Sequence, residues 1–143
     1  MFNEVVNTGA SQALQTALRF AGQRQRVIAH NIANITTPNF IQQDVSVSAF
    51  QNSLREAIDR RASAGGLEDL VLSGNSEVEM GPGGSITLHP TTPRGGILFH
   101  DRNNRDLETL MQDNVENGTM FRVCSDLLKN RSDLMRAAIA ERI

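Results

Sequence analysis

The side chains that could perform chemistry in this sequence are few and scattered. None of the three histidines, His30, His89 and His100, has a cysteine or an acid at the spacing of a metal site. The glycine-rich stretch GPGGS, residues 81–85, lacks the lysine that would hold a phosphate. Cys124 is the only cysteine, which excludes an internal disulfide. We therefore expect a protein that is not an enzyme and has no cofactor, metal or small-molecule substrate.

A different kind of polar chemistry is concentrated in the decapeptide NIANITTPNF. Asn31 and Asn34 are three residues apart, so a helix would place both amides on one face near its end, where they can pair with open carbonyls. Pro38 cannot continue a helix and pushes the preceding residue towards an extended conformation. Asn39 suits the left-handed position of a turn, and Phe40 is expected to fold back onto the helix end. Ending a helix does not by itself require both Asn31 and Asn34.

The helix that carries this decapeptide is predicted by apolar spacing. A stripe begins at Leu14 and continues through Leu18 and Ile28 at alternating steps of four and three residues. This heptad spacing is typical of a helix that packs a narrow stripe against a partner helix. Only Gln25 interrupts the stripe. We therefore predict a helix over residues 9–35.

A second long helix is predicted at the other end of the chain, beginning near Asn104. Asp106 and Glu108 fall in its first turn, where acids favour a helix N-terminus. Apolar residues then recur at helical spacing, and Cys124 among them is expected to pack. The main stripe of this helix contains Leu107, Leu110, Phe121, Leu128 and Met135.

Glycine and proline are concentrated between the two helices. Residues 63–100 hold eight of the eleven glycines and three of the four prolines. This composition predicts a flexible middle with a short β-hairpin around 85–88 or 96–99, preceded by a shorter helix over 49–62. The predicted organisation is a helical arm (1–62), a variable middle (63–100) and a C-terminal helix (101–143). The fold class is mainly α, with the two long terminal helices packed as a coiled-coil-like pair.

Charge and hydropathy narrow the function classes. The net charge is −2 and acids and bases are interspersed, so no basic patch suggests a nucleic-acid partner. No segment approaches the roughly 18 uninterrupted apolar residues of a membrane span, and the first residues do not have the pattern of a cleaved signal. Two helices with heptad stripes bury one seam on each other and leave apolar faces for neighbours. This favours an assembling subunit, with a monomeric helical hairpin as the alternative.

Two segments resemble the flagellar axial proteins, the family of rod, hook and hook-associated subunits. The decapeptide is similar to their N-terminal signature, N-I/L-A-N-x-x-T-P-G-Y/F. It matches at Asn31, Ile32, Ala33, Asn34, Thr37, Pro38 and Phe40, and Asn39 replaces the glycine. DRNNRDLETLM, residues 101–111, is similar to the start of the C-terminal helix of proximal rod subunits. The matches there are Asp101, Asn103, Asn104, Asp106, Glu108 and Met111, whereas Arg102 and Arg105 depart from the pattern.

The resemblance implies a structural subunit of the bacterial flagellar basal-body rod. Such a subunit would leave the cytoplasm through the type III export apparatus without a cleaved signal peptide and would belong to the basal body, spanning the periplasm. Its terminal helices would contact other rod subunits, copies of itself in a helical assembly, and export-gate or membrane-ring junction proteins. The alternative is an inner-rod or adaptor component of a type III secretion system, against which the match over 101–111 argues. The decapeptide and the apolar stripe are the predicted assembly surfaces.

Overall fold

The computed structural model describes residues 9–66, 69–92 and 106–140. The elements follow the predicted order, a long helix at each end with a shorter helix and a small antiparallel sheet between them. Their bounds are α1 Gly9–Ala33, α2 Val47–Ser63, β1 Val78–Met80, β2 Ile86–Leu88 and α3 Leu107–Ala140. The predicted mainly α fold is therefore confirmed. In the described ranges, no helix combines the length and apolarity that crossing a membrane requires.

The terminal helices α1 and α3 pack against each other in antiparallel orientation. The amide of Gln25 donates to Asn114 Oδ1 at 2.8 Å, and that of Asn117 donates to the carbonyl of Ala21 at 2.9 Å. The buried residues of α3 are Leu110, Asn117 and Cys124, which recur every seven residues. This is the heptad seam of a coiled-coil-like pair.

A polar pair interrupts this seam at the position where the sequence stripe is broken. Asn117 also donates to Oε1 of Gln25 at 2.8 Å, so the glutamine finds its partner on the opposite helix. A polar residue at a seam position fixes the register of two helices, because a shifted pairing would leave its amide buried without a bond. The pair therefore specifies how far α3 slides along α1.

The core continues from this seam, because Cys124 of α3 also belongs to the main buried cluster. Phe20 of α1 stacks on Phe50 of α2 with ring centroids 3.9 Å apart, and both rings are fully buried. The other buried members of the cluster are Ala17, Val45, Ala57, Leu70, Leu72, Val78, Ile86 and Cys124. The core centre is thus an aromatic pair, although the sequence contains only six Phe and neither Trp nor Tyr.

The buried face of α1 is wider than the narrow stripe predicted from the sequence. Phe20, Arg24 and Ile28 are buried, whereas Leu14 and Leu18 are only half-buried. The physical reason is that α1 packs against α3 on one side and against α2 and β2 on the other. A helix covered on two sides buries residues that a two-helix seam would leave in solvent.

The β-hairpin forms at the first of the two predicted positions. Val78 pairs with Leu88 and Met80 with Ile86, and strand alternation turns Val78 and Ile86 into the core. Gly83 and Gly84 in the connecting turn have φ of 69° and 72°, where residues with a Cβ are strained. The other predicted position, 96–99, lies outside the described residues.

The middle helix α2 extends slightly beyond its predicted bounds of 49–62. Ser46 precedes its first residue, and the hydroxyl of Ser46 accepts a hydrogen bond from the backbone N–H of Ala49 at 3.1 Å. Serine in this position satisfies a backbone donor that the helix start leaves open. The cap explains why α2 begins at Val47.

Candidate assembly surface

Asn34 closes the end of α1. Its side-chain amide donates to the backbone carbonyl of His30 at 2.9 Å, and its backbone carbonyl accepts from the backbone N–H of Thr37 at 2.9 Å. The predicted pairing of an amide with an open helix-end carbonyl is therefore present for Asn34. Asn39 has φ of 60°, the left-handed conformation predicted for the residue that replaces glycine in the signature.

Asn31 has a different role from the one predicted. Its side chain is buried, and its amide donates to the carbonyl of Gln43 at 2.6 Å. In return, Oδ1 of Asn31 accepts from the backbone N–H of Gln43 at 3.2 Å. The amide thus pairs with the returning chain as a strand neighbour would, because the segment after the turn folds back along α1. The expectation that Asn31 satisfies helix-end carbonyls is wrong.

The remaining residues of the decapeptide lie at or near the surface. The rings of Phe40 and His30 meet edge to face, with centroids 5.4 Å apart and planes at 70°, so Phe40 folds back onto the helix end as expected. The half-buried residues besides Asn34 are Ile32, Ile35 and Phe40, and the exposed ones are Ala33, Thr36, Thr37, Pro38 and Asn39. The structure presents the turn of the decapeptide on the surface at one end of the helix pair.

Arg24 joins three parts of the chain and was not identified from the sequence. Its guanidinium holds Asp44 with two hydrogen bonds of 3.0 and 2.6 Å, and donates to Asp113 of α3 at 2.9 Å. Only 4% of the Arg24 side chain is exposed. Burial opposes its charge, but the bonds and charges of Asp44 and then Asp113 hold the pKa of Arg24 above its ordinary value. The sequence did offer a signal for this buried charge, because Arg24 lies four residues from both Phe20 and Ile28 and so shares their apolar face of the helix.

Asp44 extends this network into the segment that follows the hairpin. Its backbone exchanges two hydrogen bonds of 2.9 Å with Thr91, as an isolated antiparallel bridge. The hydroxyl of Thr91 donates to Glu77, which also accepts from the N–H of Ser46 at 2.8 Å. A single salt-bridged residue therefore ties together α1, α3 and the middle segment. These partners lie too far apart in sequence to be found from local pattern.

The predicted stripe residues do not form one surface in the folded chain. Ile28 and Leu110 are buried inside the chain, where they stabilise the fold. Leu107 and Phe121 are exposed to solvent on α3. The half-buried members are Leu14, Leu18, Leu128 and Met135. α3 also exposes further apolar residues that recur at helical spacing or widen the stripe, including Val115 at 67% and Leu134 at 72%.

Asp106 caps the N-terminus of α3. It is the first described residue of the motif at 101–111. Thr109 donates to its carboxylate from the backbone N–H at 3.0 Å and from the hydroxyl at 2.8 Å. These bonds favour the charged form and lower the pKa of Asp106. Asp101, Asn103 and Asn104 lie outside the described residues, as does the predicted helix start near Asn104.

The other chemically competent side chains are dispersed. His89 is exposed and lies 3.4 Å from Glu79, whereas His30 belongs to the helix end described above and His100 lies outside the described residues. Burial raises the pKa of Cys124, which packs in the helix seam. Within residues 9–66, 69–92 and 106–140, no three metal-ligating side chains come together.

The described residues thus form an antiparallel pair of terminal helices, and one of these helices exposes several apolar side chains. No protein-family model matches the chain. Over 110 residues it is 33% identical to the flagellar basal body rod protein FlgB of Borrelia hermsii, covering 73% of this chain and 76% of that protein. The chain belongs to the FlgB family of flagellar basal body rod proteins.

Proposed function

We propose that the chain is a structural subunit of the flagellar rod that assembles through its terminal helices in the proximal part of the rod, above the export gate. The observation that carries this proposal is the 33% identity with the B. hermsii rod protein over most of both chains. The decapeptide and the start of α3 support it, because both resemble segments of rod proteins. In this role the protein acts as a building block and catalyses no reaction.

The geometry of the helix pair suits a building block. Arg24 and the Asn117–Gln25 pair hold α1 and α3 in one register inside the subunit. Apolar side chains such as Val115 and Leu134 remain exposed on α3, where burial against neighbours would be favourable. The subunit would therefore enter the assembly with its own pairing complete and its outer face still available.

The proposed route and location follow from the same family membership. The subunit would pass through the flagellar type III export apparatus without a cleaved signal peptide. It would then be incorporated in the periplasm, next to other rod subunits, copies of itself, and export-gate or membrane-ring junction proteins. A heterologous contact joins two different surfaces of the same protein, so copies joined by it can form a ring or a tube.

Deletion of the gene tests this proposal. We expect cells without it to lose swimming, and tomograms of their envelopes to show membrane rings without rods. The wild-type gene should restore both. A useful companion variant is Leu134→Asp, which should fold normally because Leu134 is exposed and should fail to restore swimming. Ser132→Asp, an exposed polar position two residues away, is the matched control and should restore it.

Normal rods and normal swimming in the deletion strain would contradict the proposal. If swimming were normal while secretion through a separate type III system were lost, the chain would instead be an inner-rod or adaptor component of that system. Secretion assays on the same strain therefore distinguish the two functions.

A further inference from the structure

Asn117 and Gly118 form the only Asn-Gly dipeptide of the sequence. In an open chain this dipeptide readily loses its side-chain amide, because glycine has no side chain to hinder the approach of its backbone nitrogen to the neighbouring amide carbon. Here the dipeptide lies inside α3, where Asn117 bonds to α1. A chemically reactive pair of residues therefore stands at the point that fixes the register of the two helices.

Packing inside the subunit does not account for the glycine. A Cβ added at Gly118 would meet no atom of the described residues within 4 Å, so alanine fits without displacing a neighbour. Glycine also weakens a helix interior relative to alanine. The Asn-Gly pair is thus a local weakness that the described packing does not require.

The folded chain holds the side-chain amide of Asn117 in place. Only 2% of Asn117 is exposed, and its Nδ2 donates to the carbonyl of Ala21 at 2.9 Å and to Oε1 of Gln25 at 2.8 Å. Its Oδ1 is buried and finds no hydrogen-bond donor among the described residues. Negative charge that develops on this oxygen during an attack on the amide carbon would therefore not be stabilised.

The helix also restrains the attacking nitrogen. The helical pattern pairs the backbone N–H of Gly118 with the carbonyl of Asn114, four residues earlier. Helical φ and ψ keep that nitrogen from turning onto the side chain of Asn117. Both reacting groups become available only when this part of α3 opens or the chain unfolds.

We propose that Asn117–Gly118 is a self-modification site whose reaction is controlled by folding. In the open chain the backbone nitrogen of Gly118 attacks Cγ of Asn117, and the new N–C bond closes a cyclic imide. The Cγ–Nδ2 bond breaks, and Nδ2 leaves as ammonia with the proton that Gly118 gives up. Water then opens the imide at either carbonyl, which yields aspartate or isoaspartate. The net change is hydrolysis of one amide by one water.

The product does not restore the seam. A carboxylate at position 117 has no N–H for the carbonyl of Ala21, and burial of its charge opposes helix pairing. Isoaspartate also inserts a carbon into the backbone of α3 and so breaks the helical hydrogen-bond pattern. A chain that stays open long enough to react therefore loses the native α1–α3 pairing. This inference goes beyond the proposed function and does not depend on it.

Peptide mass spectrometry of the purified full chain tests the site. Native and guanidinium-unfolded samples are incubated at mildly alkaline pH, and the peptide that contains Asn117 is followed for conversion of amide to acid. We expect conversion to be on the order of tenfold or more faster in the unfolded sample, since the native chain reacts only through opening. Gly118→Ala is the matched control, because its methyl group fits the helix but hinders the attack, and it should slow conversion in the unfolded sample.

Two substitutions measure the effect of the product on the fold. Asn117→Asp reproduces the aspartate form and should lower the melting temperature, because it removes the donor to Ala21 and buries a charge. Asn114→Asp makes the same change three residues earlier and keeps the oxygen that accepts from Gln25, so it should lower the melting temperature much less.

Three results would overturn the inference. Equal conversion at Asn117 in the native and unfolded samples would contradict control by folding. Unfolded wild type that reacts no faster than unfolded Gly118→Ala would contradict the site itself. Equal melting temperatures for Asn117→Asp and Asn114→Asp would contradict the consequence for the seam. None of these measurements uses flagella, so failure of this inference and failure of the proposed function are separate results.

Discussion

At the scale of single residues, Asn31 and Asn34 carry the same amide but serve different parts of the chain. Asn31 is buried and makes two hydrogen bonds to the backbone of Gln43, whereas Asn34 closes a half-exposed helix end. We predict that Asn31→Ala lowers the free energy of unfolding by about 1–3 kcal/mol, because it removes a buried side chain and both of its hydrogen bonds to the backbone of Gln43. Asn34→Ala should cost about 1 kcal/mol or less, since water can replace its amide. Urea denaturation of the purified chain measures both.

A larger loss for Asn34→Ala than for Asn31→Ala would contradict this assignment. Asn34→Ala is also expected to weaken rod assembly more than it weakens the isolated chain, because the turn it closes lies on the surface. Swimming of the complemented deletion strain measures this second effect. Wild-type swimming together with normal rods would show that the turn does not contribute to assembly.

Arg24 is a buried charge whose replacement we expect to be strongly destabilising. Replacing it with alanine leaves Asp44 and Asp113 without their cation, and we expect a loss of about 3 kcal/mol in the free energy of unfolding. Arg24→Lys should recover only part of this loss, because an ammonium cannot form the two parallel bonds to Asp44. Full stability in Arg24→Lys would mean that charge alone is required and that the fork geometry is not.

At the scale of elements, we predict that the stability of the start of α3 depends on pH. Thr109 holds the ionised carboxylate of Asp106 and lowers its pKa in the folded state. The cap therefore stabilises the fold above the ordinary carboxyl pKa, and this contribution is lost as pH falls through the lowered value. Asp106→Asn keeps a capping side chain that does not titrate. Melting temperatures between neutral and acidic pH should fall more for the wild type than for Asp106→Asn, and parallel curves would contradict the cap.

Two glycines provide a matched pair for the helix and the hairpin turn. Gly118 lies inside α3 with no atom within 4 Å of an added Cβ, so Gly118→Ala should stabilise the chain by up to about 1 kcal/mol. Gly84 has φ of 72° and the guanidinium of Arg19 lies where the Cβ would be, so Gly84→Ala should be destabilising. Thermal unfolding should shift in opposite directions for the two variants. Shifts of the same sign would mean that the space and strain at these glycines do not determine their effects.

At the scale of the whole molecule, features with local causes could be predicted from the sequence, whereas features that depend on long-range packing could not. The end of α1 before Pro38, the left-handed Asn39 and the hairpin could be predicted because their causes lie within a few residues. Burial of Arg24 could not, because its partners Asp44 and Asp113 are 20 and 89 residues away. The wide buried face of α1 was missed for the same reason, since it depends on which elements cover the helix. The role of Asn31 depended on the return path of the chain after the turn.

The central claim is that this chain is built into the rod as an antiparallel α1–α3 unit. Cryo-electron microscopy of purified basal bodies, with mass spectrometry of the same sample, tests it most directly. We predict that the chain is present and that proximal rod density accommodates α1 and α3 in the register set by Asn117 and Gln25. Complete rods from which this chain is absent, or subunit density in which the two helices are separated, would contradict the claim.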